Sequence, residues 1–135
     1  MSIDKLDEMS IRNVMKPPVT NIKESNIEVV YHQLFATPSE MVEIVDDDDK
    51  LVGIVTKTAM MKGLLKHDKN EIIEEVMYTN FTSINDDSTV HDAIQLMNEK
   101  KVNKLPVIND QGEIVGTISR TNVLNKMKSF LSLRL

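Results

Sequence analysis

The sequence predicts an α+β fold made of two β-α-β-β-α units, and three observations carry that expectation. First, the chain repeats itself: "EIVDDDDKLVGIVTKTAMM" (43–61) lies over "PVINDQGEIVGTISRTNVL" (106–124) at a constant offset of 63. That register places Gly53 on Gly116, Val55 on Ile118, Thr56 on Ser119, Lys57 on Arg120 and Thr58 on Thr121. Second, the same offset carries Ile27, Val30, Tyr31 and Leu34 onto Val90, Ala93, Ile94 and Met97. Both sets read i, i+3, i+4, i+7, the stripe of an amphipathic helix. Third, each copy holds two short β-branched runs joined by Asn, Asp and Gly, the pattern of a β-hairpin.

Taken in order, each copy opens on a lead-in, "NVMKPPVTNI" (13–22) or "EVMYTNFTSI" (75–84), related at offset 62. A short strand near 19–22 or 82–84 precedes a helix at 26–36 or 88–101. The hairpin follows, at 42–46 with 51–56 or 105–109 with 114–119, and a second helix closes the unit at 58–66 or 121–131. A unit of about 60 residues cannot cover its own sheet. The expectation is therefore two copies, 10–66 and 76–131, packed sheet to sheet about a pseudo-twofold axis. The charged stretch between them, with 67–75 at its centre, reads as a solvated linker.

Register also explains "DDDDK". Asp46 to Asp49 fall on Asn109, Asp110, Gln111 and Gly112, so they form the hairpin loop and are expected to be replaceable. A leftover cleavage tag would not sit in repeat register. A calcium loop would need alternating oxygen ligands and a later bidentate Glu, which are absent.

Composition narrows the function classes. A net charge of -5 lacks the basic footprint of nucleic-acid binding. The absence of cysteine excludes disulfides, thiol nucleophiles and cysteine-bound metal. No apolar run approaches a membrane span, and "MSIDKLDEMS" lacks the order of a signal peptide, so a cytoplasmic protein is expected. Nine methionines supply part of a core poor in aromatics. His32, His67 and His91 lie apart on helices or linker, and no phosphate loop, GxSxG, HExxH or acid/base carboxylate pair occurs. Catalysis and a resident metal are not supported, and no cofactor is required.

What remains is "GIVTKT" (53–58) and its counterpart "GTISRT" (116–121). Glycine within a strand marks a close approach. Hydroxyls where strand yields to helix suit an anion, with Lys57 or Arg120 alongside and Asn122 able to meet a sugar hydroxyl. The competing account is plain structure: Thr58 and Thr121 as N-caps, and the glycines serving strand packing.

These residues resemble the cystathionine β-synthase (CBS) domain family, tandem pairs of which form Bateman modules. The likeness includes Val14–Met15, Val76–Met77, "KLPVIND" (104–110) and the Gly-x-x-Ser/Thr segment of each copy, and it spans roughly 10–131. It implies a non-catalytic sensor that binds an adenosine-containing ligand (AMP, ADP, ATP or a related adenosyl compound) in the cleft between copies. It also implies a homodimer and an attached or partner effector domain, without nucleic-acid binding or membrane insertion.

Carried over by motif, one site would use Ser119, Arg120, Thr121 and Asn122 for phosphate and ribose, with Thr20 and backbone near Val42 at the base. The other would use Thr56, Lys57 and Thr58, with Thr82, Leu105 and Pro106 at the base and Lys104 at the phosphate. The ribose-binding Asp of the family is Ala59 in one copy and Asn122 in the other, and Pro106 is matched by Glu43. A carboxylate there would disfavour anionic ligands. Two unequal sites are expected, the one centred on Asn122 competent and the one centred on Ala59 weak or empty. The alternative is a ligand-free dimerisation or interaction module. In the last helix Val123, Leu124 and Met127 are expected in the core, while Phe130, Leu131 and the final "LRL" would face a partner.

Overall fold

The computed structural model describes residues 5–38 and 40–132. Among the described residues six strands and four α-helices follow in the expected order: β1 (Thr20–Ile22), α1 (Ile27–Ala36), β2 (Met41–Val45), β3 (Leu51–Thr56), α2 (Lys57–Leu64), β4 (Ile84–Asn85), α3 (Val90–Lys100), β5 (Lys104–Ile108), β6 (Ile114–Ser119) and α4 (Arg120–Ser132). They make two three-stranded sheets, β1-β2-β3 and β4-β5-β6. In each, the first strand runs parallel to the second, Thr20 opposite Glu43 in one and Ile84 opposite Val107 in the other. The α+β class and the two sheet-and-helix halves are as the repeat predicts.

The compact units cut across the contiguous repeat blocks. One unit is Pro18–Phe81 with Gln111–Ile114; the other joins the segment ending at Pro17 to Thr82–Asp110 and the segment from Val115. Each lead-in is thus lodged in the other copy. Ser10 bridges Thr89 and Lys16 bridges Thr117 in one unit; Ile72 bridges Asn26 and Tyr78 bridges Ile54 in the other. These pairs are equivalent under the repeat, so the exchange is mutual.

The exchange explains the strand glycines. A Cβ on Gly116 would lie 2.6 Å from Met15 Sδ and 3.2 Å from the Lys16 carbonyl oxygen. On Gly53 it would lie 2.5 Å from Met77 Sδ and 3.2 Å from the Tyr78 carbonyl oxygen. Each glycine admits the "VM" of the exchanged lead-in, which is the packing account rather than the ligand account.

In the first unit the core gathers Ile27, Val30, Leu34, Val42, Ile44, Val55, Ala59, Met60, Ile73 and Val76. Ile73 departs from the solvated-linker expectation. Its side chain is fully buried, and its N–H donates to the Ser25 carbonyl at 2.7 Å, while Glu71, Glu74 and Glu75 beside it stay exposed. Tyr31 also departs from its stripe, lying exposed beside the Phe35 ring. The second core gathers Val90, Ala93, Met97, Leu105, Val107, Ile118 and Val123 around Ile11 and Leu6. Phe130 belongs to it, 7% exposed, and so is not a partner surface. Leu124, expected inside, is exposed; Leu131 is exposed as expected, and the final "LRL" lies outside the described residues. On α4 the buried stripe runs through Val123 and Phe130, seven residues apart, which turns Leu124 outward.

The aspartate loop is more ordered than a replaceable connection. Asp46 Oδ1 accepts from the N–H of Asp48 (2.9 Å) and of Lys50 (3.0 Å), an Asx-type closure. Asp49 takes a left-handed φ of 61°. The loop also holds the tip of the second hairpin: Leu51 N–H donates to the Gly112 carbonyl and Ile114 N–H to that of Asp49.

Candidate functional site

Two helix starts carry the residues expected to bind a ligand, and in both the N-cap lies two residues before the threonine suggested for it. The N-caps are Thr56 and Ser119, where strand ends and helix begins; Thr58 and Thr121 sit exposed in the first turn. Thr56 Oγ1 accepts from the Ala59 N–H at 3.2 Å. Ser119 Oγ accepts from the Asn122 N–H at 3.1 Å, and Asn122 Oδ1 accepts in return from the Ser119 N–H at 3.2 Å. The second copy therefore has a reciprocal capping box, and the first has half of one because Ala59 has no polar side chain. Ala59 is 2% exposed and packs in the core, so its position offers a ligand nothing polar.

The two basic residues differ in the same direction. Arg120 Nε donates to Asn103 Oδ1 at 3.0 Å, and the Arg120 N–H donates to the Asn103 carbonyl at 2.9 Å. The fork of the guanidinium is left with further N–H donors. Lys57 is held by Glu40, 3.1 Å from its Nζ, and lies 5.2 Å from the centroid of the Phe35 ring. A phosphate at Lys57 would compete with a carboxylate already in place.

A cleft of about 230 Å³ opens beside Asn122 in the second unit, lined by Asn13, Val14, Lys16, Asn122, Asn125 and Lys126. The exchanged lead-in forms one wall, held by the paired N–H···O bonds of Lys16 and Thr117, both 2.9 Å. The start of α4 forms the other. Of the expected residues, Asn122 lines the cleft and Ser119 fixes its orientation. Asn13, Lys16, Asn125 and Lys126 were missed. The last two follow Asn122 by three and four residues on α4, a spacing readable in the sequence. The first two arrive through the exchange, which is not.

The remaining expected residues lie elsewhere. Thr20 on β1 and Val42 on β2 belong to the first unit with Thr56, Lys57 and Thr58; Thr82, Lys104, Leu105 and Pro106 belong to the second. The side chains of Val42 and Leu105 are fully buried, leaving only their backbone for a ligand. Glu43 does not line a ligand edge as its match to Pro106 suggested. Its side chain is fully buried, Oε2 accepting from the Val19 N–H at 3.2 Å, and it holds the start of the lead-in strand. Among the described residues no cluster of His, Asp or Glu suits a metal ion, and no helix is long and apolar enough to cross a membrane.

Comparison with known proteins places this geometry. The family model "CBS domain" matches residues 73–129. Inosine-5′-monophosphate dehydrogenase of Halobacterium salinarum is 28% identical over 108 residues, 80% of this chain but 21% of that protein. The chain thus spans about a fifth of that relative's length. Among solved structures, the CBS domain pair of MJ0100 in complex with 5′-methylthioadenosine and S-adenosyl-L-methionine superposes with a TM-score of 0.78 at 24% identity, covering 90% of this chain and 97% of that one. CBSX2 in complex with AMP gives 0.78 at 19% identity, with 90% and 97% covered. At such identities the likeness is one of fold. The CBS-domain model thus lies on the second copy, the internal repeat relates the first copy to it, and the chain has the fold of tandem CBS domain pairs.

Proposed function

We infer that the chain is a non-catalytic regulatory module that binds an adenosine-containing nucleotide and passes its presence to a partner or attached domain. The observation that carries this reading is the asymmetry of the two helix starts. Ser119 and Asn122 form a reciprocal pair beside a polar cleft, whereas Thr56 faces Ala59 and Lys57 is tied to Glu40. AMP in CBSX2 and the two adenosyl ligands of the MJ0100 pair support the ligand class. The working site is the one centred on Asn122, with Ser119, Arg120 and Thr121 at phosphate and ribose. A ligand of this kind regulates only by binding one arrangement of the protein more tightly than another. The reading places the module in the cytoplasm, where adenine nucleotides are at hand.

Thermal shift against adenosine, AMP, ADP, ATP, 5′-methylthioadenosine and S-adenosyl-L-methionine tests it. A ligand at 100 times its dissociation constant stabilises by about 2.7 kcal/mol. Asn122→Ala should abolish the response and Thr56→Ala should leave it; the reverse order would exchange the two sites.

A second reading, a ligand-free module that self-associates, is favoured by one feature of the first unit. Val29 and Phe35 on α1 and Met61 on α2, with Leu65 just beyond it, leave apolar side chains 50%, 55%, 69% and 87% exposed. A homodimer by sedimentation, with no shift for any adenosyl compound, would select this reading.

A further inference from the structure

The cleft beside Asn122 has a charge balance unlike the rest of this acidic chain. No carboxylate lines it, and neither Lys16 nor Lys126 forms an ion pair with a described residue. Asn13 and Asn125 add amide groups to the lining. Two uncompensated cations in one concave site attract an anion. The volume decides what kind: about 230 Å³ is below the roughly 300–1,000 Å³ of pockets that enclose a whole ligand. The cleft suits one anionic substituent of a larger molecule.

Asn122 indicates where that substituent is attached. Receiving both hydroxyls of a ribose diol requires two acceptor sites, which a carboxylate supplies in excess. Asn122 has one carbonyl oxygen, and the Ser119 N–H already occupies part of its capacity at 3.2 Å. That bond also fixes which end of the amide is oxygen, since an N–H must meet an acceptor. What Asn122 has left in quantity is the Nδ2 donor pair, which has no hydrogen bond to a described residue. In dinucleotide sites an acidic residue meets the ribose 2′-hydroxyl, whereas a nearby cationic side chain accommodates a phosphate there, and here Lys16 and Lys126 are the cations beside Asn122.

We propose that the cleft of Asn122, Lys16 and Lys126 binds a phosphate carried on the ribose ring, so that the ligand is an adenine nucleotide phosphorylated at the 2′ or 3′ position. This rests on the nucleotide reading above and narrows it. Asn122 Nδ2 and the two ammonium groups donate to the ribose phosphate, while Ser119 holds the amide in place. Because both lysines act through charge, the preference weakens as salt screens them.

Calorimetric titration of the chain with AMP, adenosine 2′,5′-bisphosphate and adenosine 3′,5′-bisphosphate tests the assignment. One bisphosphate should bind at least about tenfold more tightly than AMP, the factor expected of one added charge-assisted hydrogen bond. Asn122→Asp should reverse that order, and Lys16→Gln with Lys126→Gln should bring bisphosphate and AMP level. Both lysines are surface residues, and circular dichroism and the melting temperature check that the variants fold. AMP binding as tightly as either bisphosphate overturns the proposal and leaves the nucleotide reading standing. A preference that survives the double lysine variant overturns the placement in this cleft. No binding of any of the three overturns both.

Discussion

Ser119 and Asn122 hold each other reciprocally: each accepts from the other's backbone N–H, at 3.1 Å and 3.2 Å. The equivalent pair in the first copy is one-sided, because Thr56 caps Ala59 and receives nothing back. A device that ends a strand and starts a helix thus also fixes Asn122, which lines the cleft. Removing Ser119 Oγ should cost about 1 kcal/mol as a lost N-cap and, in addition, free the Asn122 side chain to turn. Ser119→Ala should therefore lower both urea stability and nucleotide affinity. Thr56→Ala should lower stability alone, which equilibrium unfolding paired with calorimetry separates.

The glycine contacts predict a coupled pair. Gly116→Ala places a methyl against Met15 Sδ and the Lys16 carbonyl; the thioether can move, whereas the backbone oxygen at 3.2 Å cannot easily do so. We expect a loss of about 1–3 kcal/mol, typical of overpacking. Part of it should be recovered in Gly116→Ala with Met15→Ala, and a double-mutant cycle reads the coupling. Strict additivity would show that the lead-in does not bear on Gly116.

Within "DDDDK" the four aspartates should behave differently. Asp46→Ala removes the acceptor of two backbone N–H groups and should cost about 1 kcal/mol or more, measured by urea unfolding. Asp47→Ala, at an exposed position, should fall within about 0.5 kcal/mol of the parent. Equal effects would return the loop to a mere connection.

Asp92 sets an acid limit on α3. The Thr89 backbone N–H donates to Asp92 Oδ2 at 3.0 Å, and that bond, with help from the Thr89 side chain, holds the Asp92 carboxyl below its ordinary value. A carboxylate whose folded pKa is depressed contributes stability above its unfolded pKa, and that contribution is lost as pH falls through the folded one. The loss should therefore begin near the ordinary value of 3.8 and continue below it. Asp92→Asn should lower stability at neutral pH and flatten this acid limb, as followed by thermal unfolding across the range. An unchanged limb would assign the acid sensitivity to other carboxylates.

Much of the fold was legible because its signals are local. The stripes of α1 and α3, the polar loops of both hairpins and the register of 63 are each read from residues near in sequence or from self-similarity. The mistaken expectations share a different cause. Ile73 looked like linker because its neighbours are charged, and Phe130 looked surplus because the repeat ends before it. Each is buried in a core built from residues distant in sequence: Ile73 in the cluster that holds Ile27 and Val30, Phe130 in the one that holds Ile11. Glu43 was read as a ligand-facing charge from its alignment with Pro106. It is instead consumed by the Val19 N–H.

By itself the sequence determined the duplicated β-α-β-β-α unit, the equivalence of Asn122 and Ala59 in its two copies, and the loop position of the aspartates. Only the tertiary structure decided that each lead-in enters the opposite copy, bringing Lys16 beside Asn122 and seating Met15 on Gly116. The physical reason is symmetry. Two copies with matching grooves accept either lead-in, and the pattern of side chains in each is the same. Which groove is filled depends on chain reach and packing across more than sixty residues, and no local periodicity records that.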